Sequence, residues 1–95
     1  MAVQVIVKNH VKDYDAWKPF FDEHGAVRRA NGATGHTVYR GAEDPNQVVI
    51  VNTFATLEGA RAFMTDPGLK EVMEKAGVDV APDITVTEET ETTSY

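Results

Sequence analysis

No cysteine occurs anywhere in the 95-residue chain. That absence removes disulfides, thiolate nucleophiles and cysteine-bound zinc from consideration. Positive charge is scarce as well: nine Lys and Arg stand against fifteen Asp and Glu, a formal net charge of −6. A nucleic-acid binder needs a basic stripe, and the only adjacent basic pair is Arg28–Arg29, so no nucleic-acid partner is expected. An anionic membrane surface is an equally poor match, and no apolar run approaches the roughly 20 residues that span a bilayer. The opening Met1-Ala2-Val3-Gln4 lacks the charged and long apolar regions of a secretory signal, which makes the cytoplasm the expected location.

What is present is enough for one domain, expected over residues 1–90, with an acidic and polar tail at 91–95. A chain of this length buries only about 60–65% of its unfolded surface, so burial against a second copy would add to a marginal stability. Residues 2–9 place Val3, Val5 and Val7 on one side and Ile6 on the other, the period of a strand. Residues 13–29 have the period of a helix, with Tyr14, Trp17, Phe21, His24 and Arg28 spaced by three and four. Pro19 removes a backbone donor from that helix, which predicts a kink or a separate first turn over residues 14–18, and Asn31-Gly32 supplies a stop. Residues 34–41 and 47–54 read as two strands joined by a tight turn at Glu43-Asp44-Pro45-Asn46. Thr56 is a good N-cap for a helix with the stripe Leu57, Ala60, Phe63 and Met64. Asp66-Pro67-Gly68 breaks it, a short helix carries Leu69, Val72, Met73 and Ala76 to a stop at Gly77, and residues 84–88 give a last strand.

The order β-α-β-β-α-α-β predicts an α+β, ferredoxin-like βαββαβ fold, a four-stranded antiparallel sheet with its helices on one face. Its strands are apolar on both faces: Val48, Ile50 and Phe54 oppose Val49 and Val51. Such strands need cover on both faces, so a two-fold homodimer is the expected assembly.

The whole chain, over roughly residues 2–90, resembles the antibiotic-biosynthesis-monooxygenase-like domains of the dimeric α+β barrel superfamily. The stretches that carry the likeness are Val11-Lys12-Asp13-Tyr14-Asp15-Ala16-Trp17-Lys18, Phe21-Asp22-Glu23-His24 and Val38-Tyr39-Arg40-Gly41-Ala42-Glu43-Asp44-Pro45-Asn46. A fourth is Leu69-Lys70-Glu71-Val72-Met73-Glu74-Lys75-Ala76-Gly77-Val78. The resemblance implies a dimeric barrel and a small-molecule enzyme of the cofactor-independent monooxygenase or polyketide-cyclase type. Its substrate would be aromatic or polyketide-like, in a pocket of each subunit, and no cofactor is expected. Relatives that degrade haem use a tryptophan and a histidine on or near the second long helix and an asparagine on the first strand. Asn9 answers to the last, but residues 55–82 hold no tryptophan or histidine, which sets haem aside.

Residue type and facing give these expectations particular groups. His24, on the core-facing stripe, is the candidate base, because a buried imidazole stays neutral and accepts protons; alternatively it is satisfied by a carbonyl or by Glu23. Tyr39 is the candidate partner of a developing oxyanion, or else a cross-strand packing residue. Trp17 and Phe21 are the walls that orient a planar substrate, and Asn52 interrupts an apolar strand, pointing at a ligand or anchoring a loop. Arg40 and His36 share a strand face with Val38; Arg40 either clamps a carboxylate or makes a surface pair near the hairpin. His10, His24 and His36 have no short ligand spacing, so no metal is expected. Two other readings stand beside the enzyme: a non-catalytic or stress-associated dimer holding a small metabolite, and a structural dimer whose pocket is filled by its own side chains. A cavity below about 300 Å³ would favour the last.

Overall fold

The structure, a computed structural model, describes residues 2–75, 77 and 82–95. Eight elements follow in chain order: β1 Val3–His10, α1 Tyr14–Glu23, α2 Gly25–Ala30, β2 Ala33–Arg40, β3 Gln47–Phe54, α3 Leu57–Met64, α4 Pro67–Lys75 and β4 Asp83–Glu88. The strands pair antiparallel in the order β2-β3-β1-β4, so the two strands richest in valine lie at the centre. This is the α+β ferredoxin-like arrangement that the sequence predicts. Ala76 and Val78, placed in the last helix and its stop by the sequence reading, lie outside the described residues, as do the side chains of Val72 and Met73. No described helix is long and apolar enough to cross a membrane.

Period-two patterning decides which face is covered. Val3, Val5, Val7 and Asn9 on β1 stand opposite Phe54, Asn52, Ile50 and Val48 on β3, and all eight are buried. Their neighbours Ile6, Val49 and Val51 point to the other face and are half-buried, with Tyr39 beside Val49 more than half exposed. The helices contribute Trp17, Phe21, Ala60, Phe63 and Leu69 to the covered side, where rings meet in two groups: Tyr14 to Trp17 at 5.7 Å and Trp17 to Phe21 at 5.1 Å, and Phe54 to Phe63 at 5.5 Å between ring centres. Each such buried side chain contributes about 1.5–3 kcal/mol of transfer free energy.

The first helix breaks, but not where proline predicts. Pro19 sits inside an unbroken α1. The carbonyl it leaves without a donor belongs to Asp15, an exposed first-turn residue, so water can take the lost bond. The break falls instead at His24, which ends α1 and begins α2 with φ −78° and ψ 0°. No side chain caps α2. Elsewhere local chemistry follows the sequence: Thr56 Oγ1 accepts from the Gly59 N–H at 3.0 Å, Asp44 Oδ1 accepts from the Asn46 N–H at 3.0 Å in the hairpin, and Gly32 and Gly77 take positive φ after their helices. Asn46 ties the hairpin to α1, accepting from the Tyr14 N–H and donating to the Lys12 carbonyl.

Candidate functional site

Beneath the α1–α2 junction lies a cavity of about 50 Å³, lined by Val7, Phe21, His24, Arg28, Ile50, Asn52, Phe63 and Leu69. Its walls are almost wholly apolar, yet two polar atoms are buried there without a hydrogen-bond partner among the described residues: His24 Nε2 and Asn52 Oδ1. A third such atom, Asn9 Oδ1, comes from the end of β1. Buried polar atoms are nearly always satisfied, and an orphan costs about 1–3 kcal/mol, so orphans facing one cavity point to a ligand or an ordered water there. The volume admits a water molecule or two and falls below the range of about 300–1,000 Å³ of small-molecule sites. On its outer side His24 borders a more open groove of about 370 Å³ with Phe20, Glu23 and Lys75. The imidazole thus stands between a groove of ligand size and a small apolar chamber.

Electrostatics keep that imidazole neutral. Burial lowers the His24 pKa from the ordinary 6.5, the Arg28 charge lowers it further, and Asp66 partly offsets both. A neutral imidazole in an apolar chamber is a competent proton acceptor at physiological pH. His36 is lowered by the same causes, burial first and then Arg28 and Lys18, with Asp22 opposing.

The structure brings some predicted site residues together and separates others. His24, Phe21 and Asn52 share the cavity. His36 lies alongside, its ring edge-on to Phe21 at 4.9 Å and its backbone paired with Asn52. Trp17 is packed between Tyr14 and Phe21 in the core, a wall for Phe21 and not for the cavity itself. Arg40 does not reach the cavity either: its guanidinium lies 4.0 Å from the centre of the Tyr14 ring and its Nε donates to the Pro45 carbonyl at 3.0 Å, which braces the hairpin. Tyr39 stands on the opposite face of the sheet, because an odd residue on β2 must point away from the face that His36, Val38 and Arg40 share. It cannot serve an oxyanion in the chamber of its own subunit. The three histidines fall at separate places, with His10 on Asp44 at 3.0 Å, and no described group of three His, Asp or Glu side chains could hold a metal ion.

One charged residue lining the cavity was not among the expected site residues. Arg28 lines the same cavity, is only 5% exposed, and rests its guanidinium carbon 3.8 Å from the centre of the Phe21 ring. The signal was present, since a charged residue continued the apolar 17-21-24 stripe.

A four-stranded antiparallel sheet covered on one face by helices, with a small chamber beneath them, is an α+β fold of the ferredoxin-like class. Among solved structures, SnoaB, a cofactor-independent oxygenase from Streptomyces nogalater, matches with a TM-score of 0.78 at 16% identity, over 96% of this chain and 95% of that one. Rv0793 from Mycobacterium tuberculosis matches with a TM-score of 0.73 at 15% identity, over 99% and 100% of the two chains. A structure described as an antibiotic biosynthesis monooxygenase matches at 0.71 and 12% identity, over 94% and 99%. Identities this low carry the fold and leave activity to be argued from the site. No family model matches the sequence, and no curated protein matches it.

Proposed function

We propose that the protein is a cofactor-independent oxygenase or cyclase that acts on an aromatic or polyketide-like substrate, as a homodimer with one site per subunit. The observation that carries this reading is the pair of orphaned atoms, His24 Nε2 and Asn52 Oδ1, facing one apolar chamber. His24 takes a proton from an acidic carbon or phenol of the substrate. Arg28 then stands where the resulting enolate or phenolate is held, in place of Tyr39, while Asn52 Oδ1 accepts from a hydroxyl of the substrate. The carbanion either attacks another carbonyl of the substrate, whose alkoxide takes the proton back from His24, which is cyclisation, or passes electrons to dioxygen and combines with it as a peroxide that loses water to leave a new carbonyl, which is oxygenation. SnoaB, similar in fold, supports the second course. The substrate body occupies the groove beside Phe20 and Glu23 with its acidic carbon at His24, and only an oxygen substituent is small enough to reach past His24 into the chamber.

Anaerobic and aerobic incubation with an anthrone tests the proposal. Quinone formation that needs oxygen and falls at least about a hundredfold in His24→Gln is expected. Unchanged turnover in that variant would sink the base role. The chamber's volume of about 50 Å³ favours a second reading, a non-catalytic dimer whose pocket is filled by its own side chains. That reading expects no turnover of any anthrone and no shift of the His24 resonances on adding one.

A further inference from the structure

Between α2 and β2 lies a second cleft, of about 200 Å³, walled by Gly25, Arg28, Arg29, Thr34, Gly35 and His36. Arg28 is the wall shared with the inner chamber. Its guanidinium carries five N–H donors, yet no acceptor and no carboxylate meets it among the described residues; its contact is the Phe21 ring. The nearby acid, Asp22, is engaged by Lys18. A cation over a ring recovers only part of what taking a charge out of water costs.

A second observation points the same way. Gly25 has no side chain, and the place its Cβ would occupy is 3.3 Å from Arg29 Nη1 and 3.4 Å from Arg28 Nη2. Two cations therefore converge on one spot, in a chain whose net charge is −6. Like charges this close repel, and an anion between them removes the repulsion while supplying acceptors. The remaining walls are an imidazole and the carbons of Ala33 and Thr34, surfaces that suit a flat ring beside the charge.

We propose that this cleft binds the carboxylate of an aryl acid, clamped by Arg28 and Arg29, with the ring against His36. The assignment goes beyond the reading above: the cleft is a subsite apart from the groove beside Phe20, and the class of ligand it takes is an aryl carboxylate. Titration of the whole protein with 2-naphthoate, followed by amide NMR, tests it, with 2-naphthalenemethanol as the neutral probe and inorganic phosphate as the bare anion. The acid is expected to move the Thr34, Gly35 and His36 amides and to bind about tenfold or more tighter than the alcohol. Arg29→Met, at an exposed position, should weaken 2-naphthoate about tenfold, and Arg28→Lys should weaken it while keeping the folded spectrum. Equal binding of acid and alcohol, or no effect of Arg29→Met, overturns the clamp. Phosphate binding as tightly as 2-naphthoate overturns the aryl part of the assignment. These readouts involve no turnover, whereas the His24→Gln experiment reads turnover alone, so the two proposals fail separately.

Discussion

His36 on β2 is the direct cross-strand partner of Asn52 on β3. Both side chains therefore leave the sheet on its covered face, one at the outer cleft and one in the inner chamber. Phe21 stands between them, touched by the His36 ring on its edge and by the Arg28 guanidinium on its face. Chamber and cleft thus adjoin at Arg28, which lines both.

Asn52 gives the sharpest test of whether the chamber serves function or folding. Asn52→Leu replaces an orphaned amide oxygen with carbon at similar volume, so stability in urea should rise by about 1 kcal/mol. Anthrone turnover should fall at the same time. A loss of stability would show that the amide holds the fold together.

The histidines set a pH dependence. His24 and His36 both have folded pKa values below the ordinary 6.5. Below 6.5 the unfolded chain binds protons that the folded protein refuses, so their contribution is intact above that pH and is lost as pH falls through the folded values. The slope of unfolding free energy between pH 7 and pH 5 should therefore be shallower in His24→Gln than in the wild type. An equal slope would mean that His24 titrates normally in the folded protein.

Gly59 fixes how α3 enters the fold. A Cβ there would collide with the Asn31 carbonyl at the end of α2, and the backbone cannot yield as a side chain can. Gly59→Ala should cost about 2 kcal/mol in chemical denaturation despite alanine's better helix propensity. Thr56→Ala, which removes the cap on the same turn, should cost about 1 kcal/mol.

The proposed dimer would form through the open face of the sheet, where Ile6 pairs with Val51 and Val49 lies beside Tyr39. Val51→Lys places a charge at the centre of that face without touching the helix-covered core. Sedimentation should show a dimer for the wild type and a single subunit for the variant. A wild-type protein that sediments as one subunit at micromolar concentration would remove the dimer from the proposal.

The sequence by itself determined the succession of strands and helical segments, the hairpin, the Thr56 cap and which residues share a face of each strand. These depend on nearest neighbours and on a period of two or nearly four, which a linear pattern records. The break at His24 was not legible, because it depends on what surrounds the junction, whereas Pro19 is excused by the solvent around Asp15. Nor was the site's membership. Periodicity put Tyr39 and Arg40 on known faces of β2, but only the packed helices decided that one face leads to the chamber and that Arg40 is taken by Tyr14 and Pro45. Arg28 joined the site for the same reason. A charge on an apolar stripe is visible in one dimension, but its lack of a partner is a fact about three.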